Sequence, residues 1–65
     1  MTIKEARLRK GYTQDALSRL LDLGSQATVW HWETGKTRPT KANLRKLCRI
    51  LGVEERELEL KERTR

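Results

Sequence analysis

Apolar residues in this 65-residue chain come in short groups spaced three or four apart, and most groups run into a glycine. Such spacing is the mark of helices with one buried side. Ile3, Ala6 and Arg7 fall at i, i+3 and i+4, with Thr2 able to cap the amino end and Gly11 to close the other, which predicts a helix over residues 2–10. Thr13 caps a second helix that begins Gln14-Asp15, its acid near the positive end of the dipole. The apolar positions of that helix are Ala16, Leu17, Leu20 and Leu21. Asp22-Leu23-Gly24 reads as a turn with Gly24 as the breaker. Ser25 caps a third helix over residues 26–34, which Gly35 ends. Lys36-Thr37-Arg38-Pro39 is an extended basic loop, because the residue before a proline is pushed out of the helical region. Thr40 caps a fourth helix running to Leu51, with Leu44, Leu47, Cys48 and Leu51 on one face and Gly52 closing it. A short fifth helix is predicted over residues 54–61, held to the core by Val53 and Leu58, and residues 62–65 are expected to fray. With no alternating strand pattern and no repeat, the fold class is all-α. A five-helix bundle over residues 1–61 is expected, its second and third helices forming a helix-turn-helix.

Length and composition narrow this picture. A chain of this size makes one domain with a small core. Phe is absent, and Tyr12, Trp30 and Trp32 are the only aromatics, so the core must be mostly aliphatic. One Cys excludes an intrachain disulfide, and one His beside one Cys supplies no metal-ligand set. Cys48, in a helical run, reads as a small hydrophobe rather than a reactive thiol. No stretch approaches the roughly 20 apolar residues of a membrane span, and residues 1–10 mix charge with apolar residues where a signal peptide needs an apolar block. A soluble, cytoplasmic protein without cofactors is expected.

Charge changes the picture more. The net charge is +6 and the pI about 10.1. Residues 1–53 hold eleven Lys/Arg against four Asp/Glu, a net of +7, while residues 54–65 hold four against five, a net of −1. A cationic body with a near-neutral tail suits a polyanion such as nucleic acid, although charge alone is equally compatible with an ordinary basic protein.

The third helix separates those readings. At roughly 100° per residue, with Val29 at zero, Trp32 lies about 60° to one side and Glu33 about 40° to the other. Ser25 shares that side. Ala27, Trp30, His31 and Thr34 lie roughly 100° to 200° away, and Gln26 is intermediate at the first turn. Trp32 is therefore the core tryptophan and Trp30 the outward one, while Glu33, facing inward, needs a cation. The outward face has no Lys and no Glu. It offers an amide, a methyl, an indole and an imidazole, an inventory suited to the major groove. Gln pairs with adenine, Ala touches a thymine methyl, and His donates to guanine or phosphate. Lys36, Arg38 and Lys41 would supply phosphate contacts from beside the helix.

These residues carry a family resemblance. Thr13-Gln14, the run Ser25-Gln26-Ala27-Thr28-Val29, then Trp32-Glu33-Thr34-Gly35-Lys36, Pro39 and Leu51-Gly52-Val53 resemble the lambda-repressor-like, Xre-type helix-turn-helix. The resemblance runs from about Ile3 to Leu58. It implies a five-helix DNA-binding domain that commonly acts as a homodimer on a palindromic operator. It implies that Thr13 and Gln14 touch a phosphate at the amino end of the second helix. By the same likeness Ser25, Gln26, Ala27 and His31, with Thr28 in the same run, fall at positions facing bases or adjacent phosphates. Arg7 and Glu33 match a partly buried ion pair that ties the first helix to the third. Three positions depart from the pattern. The turn from Leu21 to Ser25 is one residue longer than usual, placing Gly24 where a small aliphatic is expected. Ala6 stands where a larger aliphatic is usual, and Trp30 fills an outward position usually held by a small or polar residue.

The reading that results is a sequence-specific regulator of transcription, a repressor. The alternative is an antitoxin-type interaction module that binds a partner protein through Trp30 and the last helix and autoregulates through DNA; Leu58 and Leu60 in that last helix would support a dimer interface. RNA binding by the same basic surface is a third possibility. An enzyme is not expected, since His31, Cys48 and the serines lack the spacing of a nucleophile–base pair and no Gly-rich phosphate loop is present.

Overall fold

Threonine hydroxyls start three of the helices, and left-handed glycines end three. The computed structural model describes residues 1–59. Helix α1, Ile3–Lys10, opens with a reciprocal cap: the Glu5 amide donates to Thr2 Oγ1 at 3.1 Å and the Thr2 amide to Glu5 Oε1 at 2.8 Å. Hydrogen bonding to the carboxylate, first from the Thr2 backbone N–H and then from the Thr2 side chain, holds the Glu5 carboxyl below its ordinary value. Gly11 ends α1 at φ +80°. Helix α2, Gln14–Leu20, is capped by Thr13, whose Oγ1 accepts from the Ala16 amide at 3.0 Å. Helix α3 is Ala27–Thr34 and helix α4 is Lys41–Leu51, the latter capped by Thr40 through the Asn43 amide at 3.2 Å.

Four helices are present among the described residues, not five. The segment expected to form the last helix makes a single 3-10 turn, Glu55–Glu57, and then Leu58 becomes extended at φ −89°, ψ 120°. The reason is a distant partner. Glu59 bridges Thr2 in parallel, and its amide donates to the Met1 carbonyl at 2.6 Å. Leu58 is thereby tucked into the core. Residues 60–65, including Leu60 and the tail expected at 62–65, lie outside the described residues.

The α2–α3 turn also differs from expectation. The residue in the left-handed region is Asp22, at φ +59°, and Gly24 is not. Asp22 sits where a glycine would end the helix: its amide donates to the Arg19 carbonyl at 3.0 Å and the Leu23 amide to the Ser18 carbonyl at 2.8 Å. Leu23, packed against the core, is then the small aliphatic of the motif, and Gly24 is the extra residue.

The core is Ile3, Ala6, Leu17, Leu21, Val29, Trp32, Leu47, Leu51 and Leu58, with Leu44 and Cys48 packed on its edge. Trp32 is 4% exposed and Trp30 46%, as the helix geometry requires. Leu20, grouped by spacing with the buried face of α2, is instead 52% exposed. Leu17 and Leu21 take the inward positions, and Leu20 falls on their flank. Cys48 is half-buried; partial burial, and then the carboxylates of Glu55 and Glu57, push its thiol above the ordinary value, which favours the protonated form. No helix among the described residues is long and apolar enough to cross a membrane.

Candidate nucleic-acid interface

Glu33 is the only acid on α3 and the point from which the site is built. Its inward wheel position carries the carboxylate to Arg7 on α1. Arg7 Nε donates to Glu33 Oε2 at 2.7 Å and Nη2 to Oε1 at 3.2 Å, a forked pair whose side chains are only 8% and 5% exposed. Arg7 Nη1 is taken up by the Tyr12 carbonyl at 2.8 Å, so the guanidinium is held on three sides. Sequence spacing gave no sign of that third partner, because it is a backbone oxygen in the turn after α1.

The same carboxylate organises two amides. Gln14 Nε2 donates to Glu33 Oε1 at 3.0 Å, and Gln26 Nε2 donates to Gln14 Oε1 at 2.7 Å. Chemistry sets the direction of this chain. A carboxylate only accepts, so Gln14 must turn its amine toward Glu33 and its carbonyl outward. Gln26 must then present its amine to Gln14. One carboxylate thus fixes the orientation of an exposed amide two links away. Gln26 occupies the position before α3, in helical conformation, and its side chain makes no cap because it is engaged with Gln14. The start of α3 is served by Ser25 instead, whose Oγ accepts from the Ala27 amide at 3.1 Å. The helix therefore begins at Ala27, one residue later than the spacing predicted.

Beyond Gln26 the outward face carries exposed Ala27, Trp30 and Thr34, with His31 and Thr28 half-buried. The rings of Trp30 and His31 lie 5.3 Å apart and tilted by 59°, which sets the indole against the imidazole. Thr34 Oγ1 donates to the His31 carbonyl at 3.2 Å. With Glu33 buried against Arg7, α3 shows no negative charge on its outer surface. Gly35, at φ +83°, ends the helix, and the amides of Lys36 and Thr37 both return to the His31 carbonyl, at 2.9 and 3.3 Å. That cap fixes where the following loop leaves the helix. Exposed Lys36 and Arg38 follow on the loop and Lys41 opens α4, and Thr13 is exposed at the head of α2.

The structure thus joins Arg7, Glu33, Gln14 and Gln26 in one bonded chain. Ser25, Ala27, Thr28, Trp30 and His31 lie along the helix that this chain supports. Lys36 and Arg38 lie on the loop that follows that helix, and Lys41 at the start of α4. Among the described residues no group of three or more His, Cys, Asp or Glu is placed to hold a metal.

A family model described as the helix-turn-helix matches residues 3–58. No curated protein and no solved structure gives a significant match. Over most of its length, from α1 to the residue that closes the core, the chain belongs to the lambda-repressor-like, Xre-type helix-turn-helix family of DNA-binding transcription regulators.

Proposed function

We propose that this chain is a repressor that binds a near-palindromic operator as a homodimer, laying α3 in the major groove of duplex DNA. The observation that carries the reading is the Gln26 amide, tethered through Gln14 to the Glu33–Arg7 pair, at the start of a helix face with no exposed acid. In that setting the Gln26 carbonyl and its remaining N–H address an adenine, Ala27 meets a thymine methyl, and His31 donates to guanine or phosphate. Ser25 and Thr28 offer hydroxyls beside them, and Trp30 covers a thymine methyl or the sugar–phosphate edge. Thr13, the backbone amide of Gln14, Lys36, Arg38 and Lys41 hold phosphates and set the register. In a dimer the two recognition helices lie about 34 Å apart, one turn of the duplex. Such a regulator works in the cytoplasm, beside its DNA.

Selection from a random duplex library tests this, with the native chain, Gln26→Ala and Trp30→Ala in parallel. A two-fold symmetric motif for the native chain is expected. Gln26→Ala should blur it at one position per half-site, where each good base contact is worth about 1–3 kcal/mol of discrimination. Binding without any motif in all three proteins would remove the specific-regulator reading. The 46% exposure of Trp30 supports a second reading, an antitoxin-type module that captures a partner protein with this indole. Trp30→Ala with full operator affinity would favour it.

A further inference from the structure

Helix α4 carries four exposed cations, Lys41, Arg45, Lys46 and Arg49, and no acid between Lys41 and Leu51. At roughly 100° per residue they fill an arc of about 140° on the side away from Leu47 and Leu51. Lys41 and Arg45, and again Arg45 and Arg49, are like charges at i, i+4, an arrangement that weakens a helix. Elsewhere Arg19 pairs with Asp15 at 3.1 Å and Arg56 with Glu54 at 2.8 Å. Among the described residues no ion pair or side-chain hydrogen bond engages the four cations of α4. A face kept for solubility alone would interleave Glu with Lys. This one stacks a single sign at a cost to its own helix.

We propose that the exposed face of α4 is a second contact surface for duplex DNA, one that grips phosphates without regard to sequence. DNA as the polyanion rests on the function proposed above; the surface itself rests on charge complementarity. From Lys41 to Arg49 the helix rises about 12 Å. Over that length a duplex presents about seven phosphates on its two strands, ample for four cations. Lys41 joins this surface to the end of the recognition loop, and Arg45, Lys46 and Arg49 extend it along α4. Contacts to phosphate oxygens carry no base information, so a face that meets the backbone adds affinity and not specificity.

The test uses the full chain, a duplex of about 30 base pairs with scrambled sequence, and fluorescence anisotropy between about 50 and 200 mM salt. One variant is Arg45→Gln/Lys46→Gln/Arg49→Gln, in which glutamine keeps helix propensity and removes the repulsion; circular dichroism verifies the fold. A second, Lys4→Gln/Arg9→Gln/Lys10→Gln, removes the same charge from α1. Each lost phosphate contact lowers the slope of log affinity against log salt by about 0.9, so the α4 variant should be shallower by about two to three and bind at least tenfold more weakly at low salt. Single Arg45→Gln should lower the slope by about one. The α1 variant should stay within about threefold of native. A native slope in the α4 variant, or equal losses in both triple variants, overturns the proposal, the latter by showing only bulk charge. An operator motif with an unmoved slope would remove this surface and leave the regulator. The reverse result would remove the regulator and leave the surface.

Discussion

At the scale of the residue, the least comfortable position in the molecule is Asp22. It holds a left-handed conformation at φ +59° that favours glycine, and it adds a negative charge at the carboxyl end of α2. Asp22→Gly should raise stability by about 1 kcal/mol, read as a higher midpoint in urea with an unchanged slope. A lower midpoint would mean that the aspartate makes a compensating contact. Gly24 is different: it needs no special backbone angle, and a Cβ there meets nothing within 4 Å. The misplaced role of these two residues shows where a sequence stops being legible. Glycine is the commonest residue in a left-handed cap, so the pattern Asp-Leu-Gly assigns the bend to the wrong member, and only the bonds from Asp22 and Leu23 back into α2 reveal it. Trp30 and Trp32, by contrast, are distinguishable at once, because a helix cannot turn two side chains two positions apart to the same side.

At the scale of the element, α3 depends on α1 through one buried pair. Replacing Arg7 by Met leaves the Glu33 carboxylate buried without its cation, an outcome that costs about 3–5 kcal/mol, a large share of what a domain this small holds. Arg7→Met/Glu33→Leu should recover most of that in a thermal melt. The same double variant should fail to recover operator affinity, since Gln14 then has no carboxylate to orient it and Gln26 no oriented partner. Recovery of both would show that the pair serves folding only. At the other end of α1, the Thr2–Glu5 cap gives a pH signature. A carboxyl whose value is lowered in the folded chain contributes stability that is complete above its unfolded value and is lost as pH falls through the lowered folded value. Glu5→Gln should therefore unfold more easily than native at pH 6, with the difference closing only as pH falls below the ordinary carboxylate range. A constant difference would point to a cause other than the charge. The caps at Thr2, Thr13 and Thr40 made the helices legible, because each places a hydroxyl three residues ahead of the amide it serves. The missing fifth helix was not legible, since Glu59 pairs with the far end of the chain. The link between Gln14 and Gln26 was equally hidden, twelve residues apart with no periodicity to connect them.

At the scale of the whole molecule, a small body carries a formal charge of +6, with cations on α1 as well as on the recognition loop and α4. Association with DNA should be fast and steeply salt-dependent in consequence. The first and last described segments close the bundle together, with the Met1 ammonium 3.4 Å from the Glu59 carboxylate. The bonded chain from Arg7 to Gln26 has a thermodynamic consequence at this scale. A glutamine free to rotate loses about 0.5–1.5 kcal/mol of conformational entropy when an interface immobilises it. Gln26 has already surrendered that freedom on folding, so its meeting with a base should register in titration calorimetry as enthalpy with little opposing entropy. Gln14→Leu would return the motion to Gln26 and move the ordering term from the folding reaction to the binding reaction.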